Sequence, residues 1–95
     1  MTQYKRAIHR QTIAPLHAAV ARTLGRKLRY LRSQVGVTQQ TVGDSVGTDR
    51  SYISRLERGT VMPRLSTLVR LANYFGVDVA TLLSSGSTSK HEKSQ

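Results

Sequence analysis

Ninety-five residues amount to one small domain, which excludes the large barrels and doubly wound sheets that house cofactor clefts. Fifteen Lys and Arg against five Asp and Glu give a formal net charge of +10, an imbalance that favours a polyanionic partner over a neutral metabolite. With 38% hydrophobic residues but one Phe, no Trp and no Cys, the core must be aliphatic, and disulfide scaffolds, thiolate zinc sites and thiol nucleophiles are excluded.

Taken in chain order, the apolar residues Leu16, Val20, Leu24, Leu28, Leu31 and Val35 recur at intervals of three and four. That is the spacing of one buried stripe on a helix, which ends near Gln34 before the permissive backbone of Gly36. Pro15 suits a first helical turn, while Gly25 could separate a short leading helix from the one that packs. Thr38 caps a second helix that runs through Val46 to Gly47. Thr48 starts a third helix to about Arg58, with Asp49 at its first position, facing the positive end of the helix dipole, and Gly59 ends it. After the turn holding Pro63, a fourth helix covers roughly Ser66 to Phe75, with Leu68, Leu71, Ala72 and Phe75 on one face and Gly76 as terminator. Asp78 then caps a short fifth helix carrying Leu82 and Leu83. No stretch alternates apolar with polar residues over strand length, so the expected fold class is all-α.

Charge divides the chain. Lys5, Arg6, Arg10, Arg22, Arg26, Lys27, Arg29 and Arg32 lie within the first 35 residues, which hold no acidic side chain. Residues 36–83 are nearly balanced and read as an ordinary folded unit. Ser84 to Gln95 contains no apolar residue, so it is expected to be a disordered tail. The implied organisation is a basic N-terminal extension over 1–23 that could be partly helical, a folded domain over 24–83, and the polar tail over 84–95. His9, His17 and His91 have neither a nearby carboxylate nor a histidine one helical turn away, so no metal, cofactor or catalytic set is expected. The chain has no apolar run suited to a secretory signal or a membrane span, which implies a cytoplasmic protein with no membrane partner.

Two short helices joined through Val46, Gly47 and Thr48 have the connectivity of a helix-turn-helix. The run TQQTVGDSVGTDRSYISRLERG, Thr38 to Gly59, resembles the Cro and phage-repressor type (XRE) family, and VMPRLSTLVRLANYFGVDVATLL after it is similar to that family's fourth and fifth helices. The agreement covers about Leu24 to Leu83 and rests on Gln39, Gly43, Gly47, Ile53, Leu56, the Glu57 and Gly59 pair, and Pro63. It implies a compact five-helix, lambda-repressor-like domain whose third helix enters the DNA major groove. Gly43 stands where the family usually has Ala, which keeps the position small but weakens the second helix by roughly 0.5 to 1 kcal/mol.

At 100° per residue, Asp49, Ile53, Leu56 and Glu57 share one face of the third helix, and Arg50, Ser51, Ser54, Arg55 and Arg58 the other. Arg50 and Arg55 are the expected base readers, because a guanidinium can donate two hydrogen bonds to guanine. Ser51 joins them from its family position. Tyr52, Ser54 and Asp49 are secondary candidates: Tyr52 for a phosphate or a thymine methyl, and Asp49 as a helix cap, an orienter of Arg50 or Arg55, or an acceptor from cytosine. The resemblance assigns Gln39 to a phosphate at the start of the second helix, and Arg58 and Arg64 flank the third helix as further phosphate contacts. It also implies a structural ion pair between Arg32 and Glu57. The basic extension could follow the DNA backbone or enter a minor groove.

The expected activity is that of a transcriptional regulator, a repressor acting on double-stranded DNA as a homodimer on an inverted repeat, with no enzymatic step. Val79, Leu82 and Leu83 of the fifth helix are the expected dimer surface. The alternative is an antitoxin or a restriction-modification controller that binds its own promoter and, in the antitoxin case, a protein partner.

Overall fold

The computed structural model describes the backbone of residues 2–86 and the side chains of residues 16–86. Among the described residues five helices follow one another with no strand: α1 (Thr2–Val35), α2 (Gln39–Val46), α3 (Arg50–Arg58), α4 (Leu65–Phe75) and α5 (Val79–Leu83). Their ends follow from local chemistry. The side chains of Thr38, Asp49 and Asp78 accept hydrogen bonds from the backbone N–H groups of Thr41, Tyr52 and Thr81, satisfying first-turn donors that have no partner within the helix. Asp49 is therefore the N-cap of α3, and the helix begins at Arg50 rather than at Thr48; Thr48 instead closes the turn by donating to Gly43 O. At the other end of α3, Gly59 takes φ +76, a left-handed conformation that costs glycine little.

α1 differs from expectation in extent. It passes through Pro15, which supplies no backbone donor, and runs unbroken through Gly25. Gly25 is a packing position: a Cβ there would lie 2.6 Å from the carbonyl oxygens of both Leu56 and Glu57. Gly59 repeats the device, since its Cβ would meet the Arg22 backbone at 3.0 Å. The two glycines let α1 and the end of α3 approach backbone to backbone. The boundary expected at residues 23–24 thus falls inside one helix, and Ala21, just before it, is buried.

The core is aliphatic. Leu24 and Leu28 from α1, Val42 and Val46 from α2, and Ile53 and Leu56 from α3 are closed over by Leu68, Leu71 and Ala72 of α4 and by Leu82 of α5. Each large aliphatic side chain buried this way contributes about 1.5 to 3 kcal/mol. The buried stripe of α1 is shorter than its spacing suggests: among the described side chains Leu24 and Leu28 are buried, whereas Leu16 and Val35 are exposed and Val20 and Leu31 are half-buried. Lys27 also departs from a solvated basic face. Its stem is buried and its Nζ donates to Gly86 O at 2.7 Å, so the first residues of the expected tail are held against α1. The remainder of that tail, residues 87–95, lies outside the described residues. Among the described residues, no helix is long and apolar enough to cross a membrane.

Candidate nucleic-acid interface

A recognition helix is useful only if its angle to the body is fixed, and three side chains fix that of α3. Arg32 on α1 donates through Nε to Glu57 Oε2 at 2.6 Å and through Nη2 to Oε1 at 3.0 Å, a two-bond pairing of guanidinium and carboxylate. Its remaining Nη1 reaches Val37 O at 3.0 Å, which ties down the connection into α2. Gln39, at the first position of α2, donates through Nε2 to Glu57 Oε1 at 3.0 Å. One carboxylate therefore joins α1, α2 and α3. The hydrogen bonds to Glu57 hold the Arg32 guanidinium above its usual value, against the opposing effect of its partial burial.

The turn between α2 and α3 is equally constrained. A Cβ on Gly43 would lie 2.9 Å from the carbonyl carbon of Asp49, so the smallest residue lets the N-terminus of α3 press onto α2. Gly47 adopts φ +81 at the C-terminus of α2. Arg70 of α4 lies beside it, its Nη1 3.5 Å from Val46 O. Nothing in the sequence singles out Arg70, whose place at this turn is visible only once α4 folds across α2.

On this base the two faces of α3 separate. Ile53 and Leu56 are buried, whereas Arg50, Ser51, Arg55 and Arg58 are exposed and Ser54 is half-buried. The last five line one shallow polar depression of about 270 Å³. Within it Arg58 Nη1 donates to Ser54 Oγ at 3.0 Å, pinning one edge and committing part of the serine hydroxyl. The Arg55 guanidinium lies 5.7 Å from the centre of the Tyr52 ring, a cation–π distance that gives it a preferred direction. Tyr52 itself is half-buried and packs against the core, so its ring is as much a support for Arg55 as a contact surface.

The remaining candidates fall around this face. Asp49 spends one carboxylate oxygen on the Tyr52 N–H at 2.8 Å, which makes it a helix cap first among its three expected roles. Arg64 is exposed at the N-terminus of α4, where its side chain makes no capping bond. Gln39 is half-buried with its amide turned to Glu57. Arg22, Arg26 and Arg29 are exposed along α1. Lys5, Arg6 and Arg10, expected to form a basic arm, have side chains outside the described residues, as do His9 and His91. Fold and site together supply an exposed cationic face on a helix held rigidly at both ends, suited to a polyanion with a groove.

Comparison with known proteins places this arrangement. A family model described as a helix-turn-helix domain matches residues 23–83, well over half of the chain. The cryptic phage CTXphi transcriptional repressor RstR of Vibrio cholerae is 34% identical over 67 residues, 70% of this chain and 60% of its own length. The immunity repressor protein of Bacillus phage phi105 is 27% identical over 73 residues, 77% of this chain and 51% of its own. The chain thus spans between half and two thirds of the length of these two relatives. Among solved structures, the restriction-modification controller protein C.AhdI from Aeromonas hydrophila superposes with a TM-score of 0.65 at 33% identity, covering 70% of this chain and 96% of that one. The P22 c2 repressor, solved with a synthetic operator, gives 0.64 at 25% identity over 66% of this chain and 96% of its own. The chain belongs to the helix-turn-helix domain family, in the branch typified by Cro and the phage repressors.

Proposed function

We propose that the chain is a sequence-specific DNA-binding transcriptional regulator, a repressor that places α3 in the major groove and binds an inverted repeat as a homodimer. The observation that carries this reading is the outward face of α3: Arg50, Ser51, Ser54, Arg55 and Arg58 gathered on a helix held by the Arg32–Glu57–Gln39 clasp. Arg50 and Arg55 read bases with Ser51 between them; Ser54, Tyr52 and Asp49 lie at the margins of the same surface. Gln39, Arg58 and Arg64 meet phosphates and set the register, a role that carries no sequence information. For Gln39 the contact is compatible with its bond to Glu57, because the amide has a second N–H to donate.

Repression follows by occlusion of promoter DNA, and the reading assigns no catalytic step to the chain and no cofactor. A second reading within the same chemistry is a restriction-modification controller acting on its own promoter. The superposition on C.AhdI, which spans nearly all of that small protein, favours it over the antitoxin alternative. Selection of bound fragments from random duplex DNA, followed by footprinting, tests the proposal. Enrichment of an inverted repeat is expected, and uniform enrichment overturns sequence-specific regulation.

A further inference from the structure

The α5 surface expected to pair two copies is only partly open. Leu82 of α5 is fully buried, and Val79 and Leu83 are partly covered by packing on their own core. Part of α5 is thus used in closing the monomer. The exposed apolar side chains nearest in sequence lie just before it: Met62 in the connection into α4, and Leu65 and Val69 one turn apart on α4 itself, 41%, 69% and 42% exposed.

We infer that Met62, Leu65 and Val69 form the contact surface for a second copy of this chain. The proposal rests on the homodimer reading above and specifies its surface. Charge selects the occupant. A chain of net charge +10 repels itself, and both α1 and α3 present arginines to solvent, Arg22, Arg26 and Arg29 on one and Arg50, Arg55 and Arg58 on the other. Two such copies can approach only through a neutral face. The outer face of α4 is neutral along Leu65, Ser66, Val69 and Asn73, all exposed; of the two exposed cations beside it, Arg64 stands at the N-cap and Arg70 reaches back to Val46 O. The apolar side chains of Met62, Leu65 and Val69 themselves offer DNA neither a cation for a phosphate nor a donor for a base edge, while Arg64, between Met62 and Leu65 in sequence, keeps its phosphate role.

Position points the same way. Met62 follows the last residue of α3, Arg58, by one short turn, so a two-fold contact at this patch fixes the separation of the two recognition helices. Three apolar side chains are few beside the roughly 800 Å² per partner of a standard interface. The dimer is therefore weak in free solution and completed on DNA, where the duplex supplies a high effective concentration.

Because the chain contains no cysteine, one introduced thiol reports the contact without background. In the full chain, Val69→Cys and the control Val35→Cys, exposed at the far end of α1, are oxidised gently with and without a random-sequence duplex. Val69→Cys should yield at least about fivefold more covalent dimer than the control, more with the duplex present. Adding Leu65→Asp should return it to the control level, with the helical circular dichroism unchanged. Equal yields from the two positions, or no effect of Leu65→Asp, overturn the proposed surface. Anisotropy with the same duplex separates this from the functional reading. Every variant should retain duplex binding, and a chain that fails to bind any duplex overturns the DNA-binding reading instead.

Discussion

Arg50 and Arg55 project from the exposed side of a helix whose other side is buried through Ile53 and Leu56, so truncating either should remove base contacts without disturbing the core. Replacing Arg50 or Arg55 by Ala is expected to cost about 1 to 3 kcal/mol at the selected site while sparing binding to random duplex. Titrations against both DNAs check this, and unchanged discrimination in both variants would remove the base-reading role. Glu57 is the opposite case, exposed only 5% and accepting from two helices. Glu57→Ala leaves Arg32 and Gln39 without their acceptor and should lower stability by about 2 to 3 kcal/mol in urea unfolding, less than for a wholly buried pair because Arg32 keeps some access to water. The double variant Arg32→Met, Glu57→Leu should recover part of that loss, since no charge is then stranded.

Elements meet through positions where even a methyl group does not fit. Gly25→Ala drives a Cβ into two carbonyls of α3 at 2.6 Å, neither of which can rotate away. The expected destabilisation is about 1 to 3 kcal/mol by thermal or urea unfolding, despite alanine's better helix propensity. Gly43→Ala should cost less, because its overlap with Asp49 begins at 2.9 Å and the same propensity gain opposes it. The short α5 carries a pH dependence. The Thr81 hydroxyl, and then its backbone N–H, hold the Asp78 carboxyl below the ordinary aspartate value. The group is thus charged more readily in the folded state, and its capping contribution is complete above about pH 4, the ordinary aspartate range. It fades as the pH falls through the lowered value. Amide exchange at Thr81 and Leu82 should accelerate over that acidic range relative to the core of α3, and Asp78→Asn should remove most of the difference.

At the scale of the whole molecule, the charge distribution and the proposed two-fold pairing carry the predictions. Eight of the fifteen cations lie in the first 35 residues, with no acid among them, so that part of α1 is expected to contribute affinity through counterion release rather than selectivity. Deleting residues 1–14 removes Lys5, Arg6 and Arg10. The slope of log affinity against log salt should become shallower by up to about 0.9 for each phosphate those side chains neutralise, and an unchanged slope would show that the segment only adds solubility. Two copies related by the α4 patch should protect half-sites about 34 Å apart on one face of the duplex, one helical turn. Sedimentation with the selected duplex should saturate at two chains per site.

Helix ends were legible from the chain because their chemistry is local. A cap such as Thr38 or Asp78 acts on an N–H three residues away, and Gly47 and Gly59 announce left-handed turns wherever the chain goes. The two faces of α3 followed from its period and from apolar Ile53 and Leu56, and the family pattern pointed to Arg32 and Glu57. What was not legible depends on residues far apart in sequence. Gln39 meets Glu57 across 18 positions, and Lys27 meets Gly86 across 59. Gly25 looked like a break in α1 until α3 lay against it. Leu82 and Leu65 are the same residue type on adjacent helices, one sealed in the core and the other 69% exposed. Spacing places a side chain on a face, but only packing decides whether that face meets its own core or stays open for a second copy.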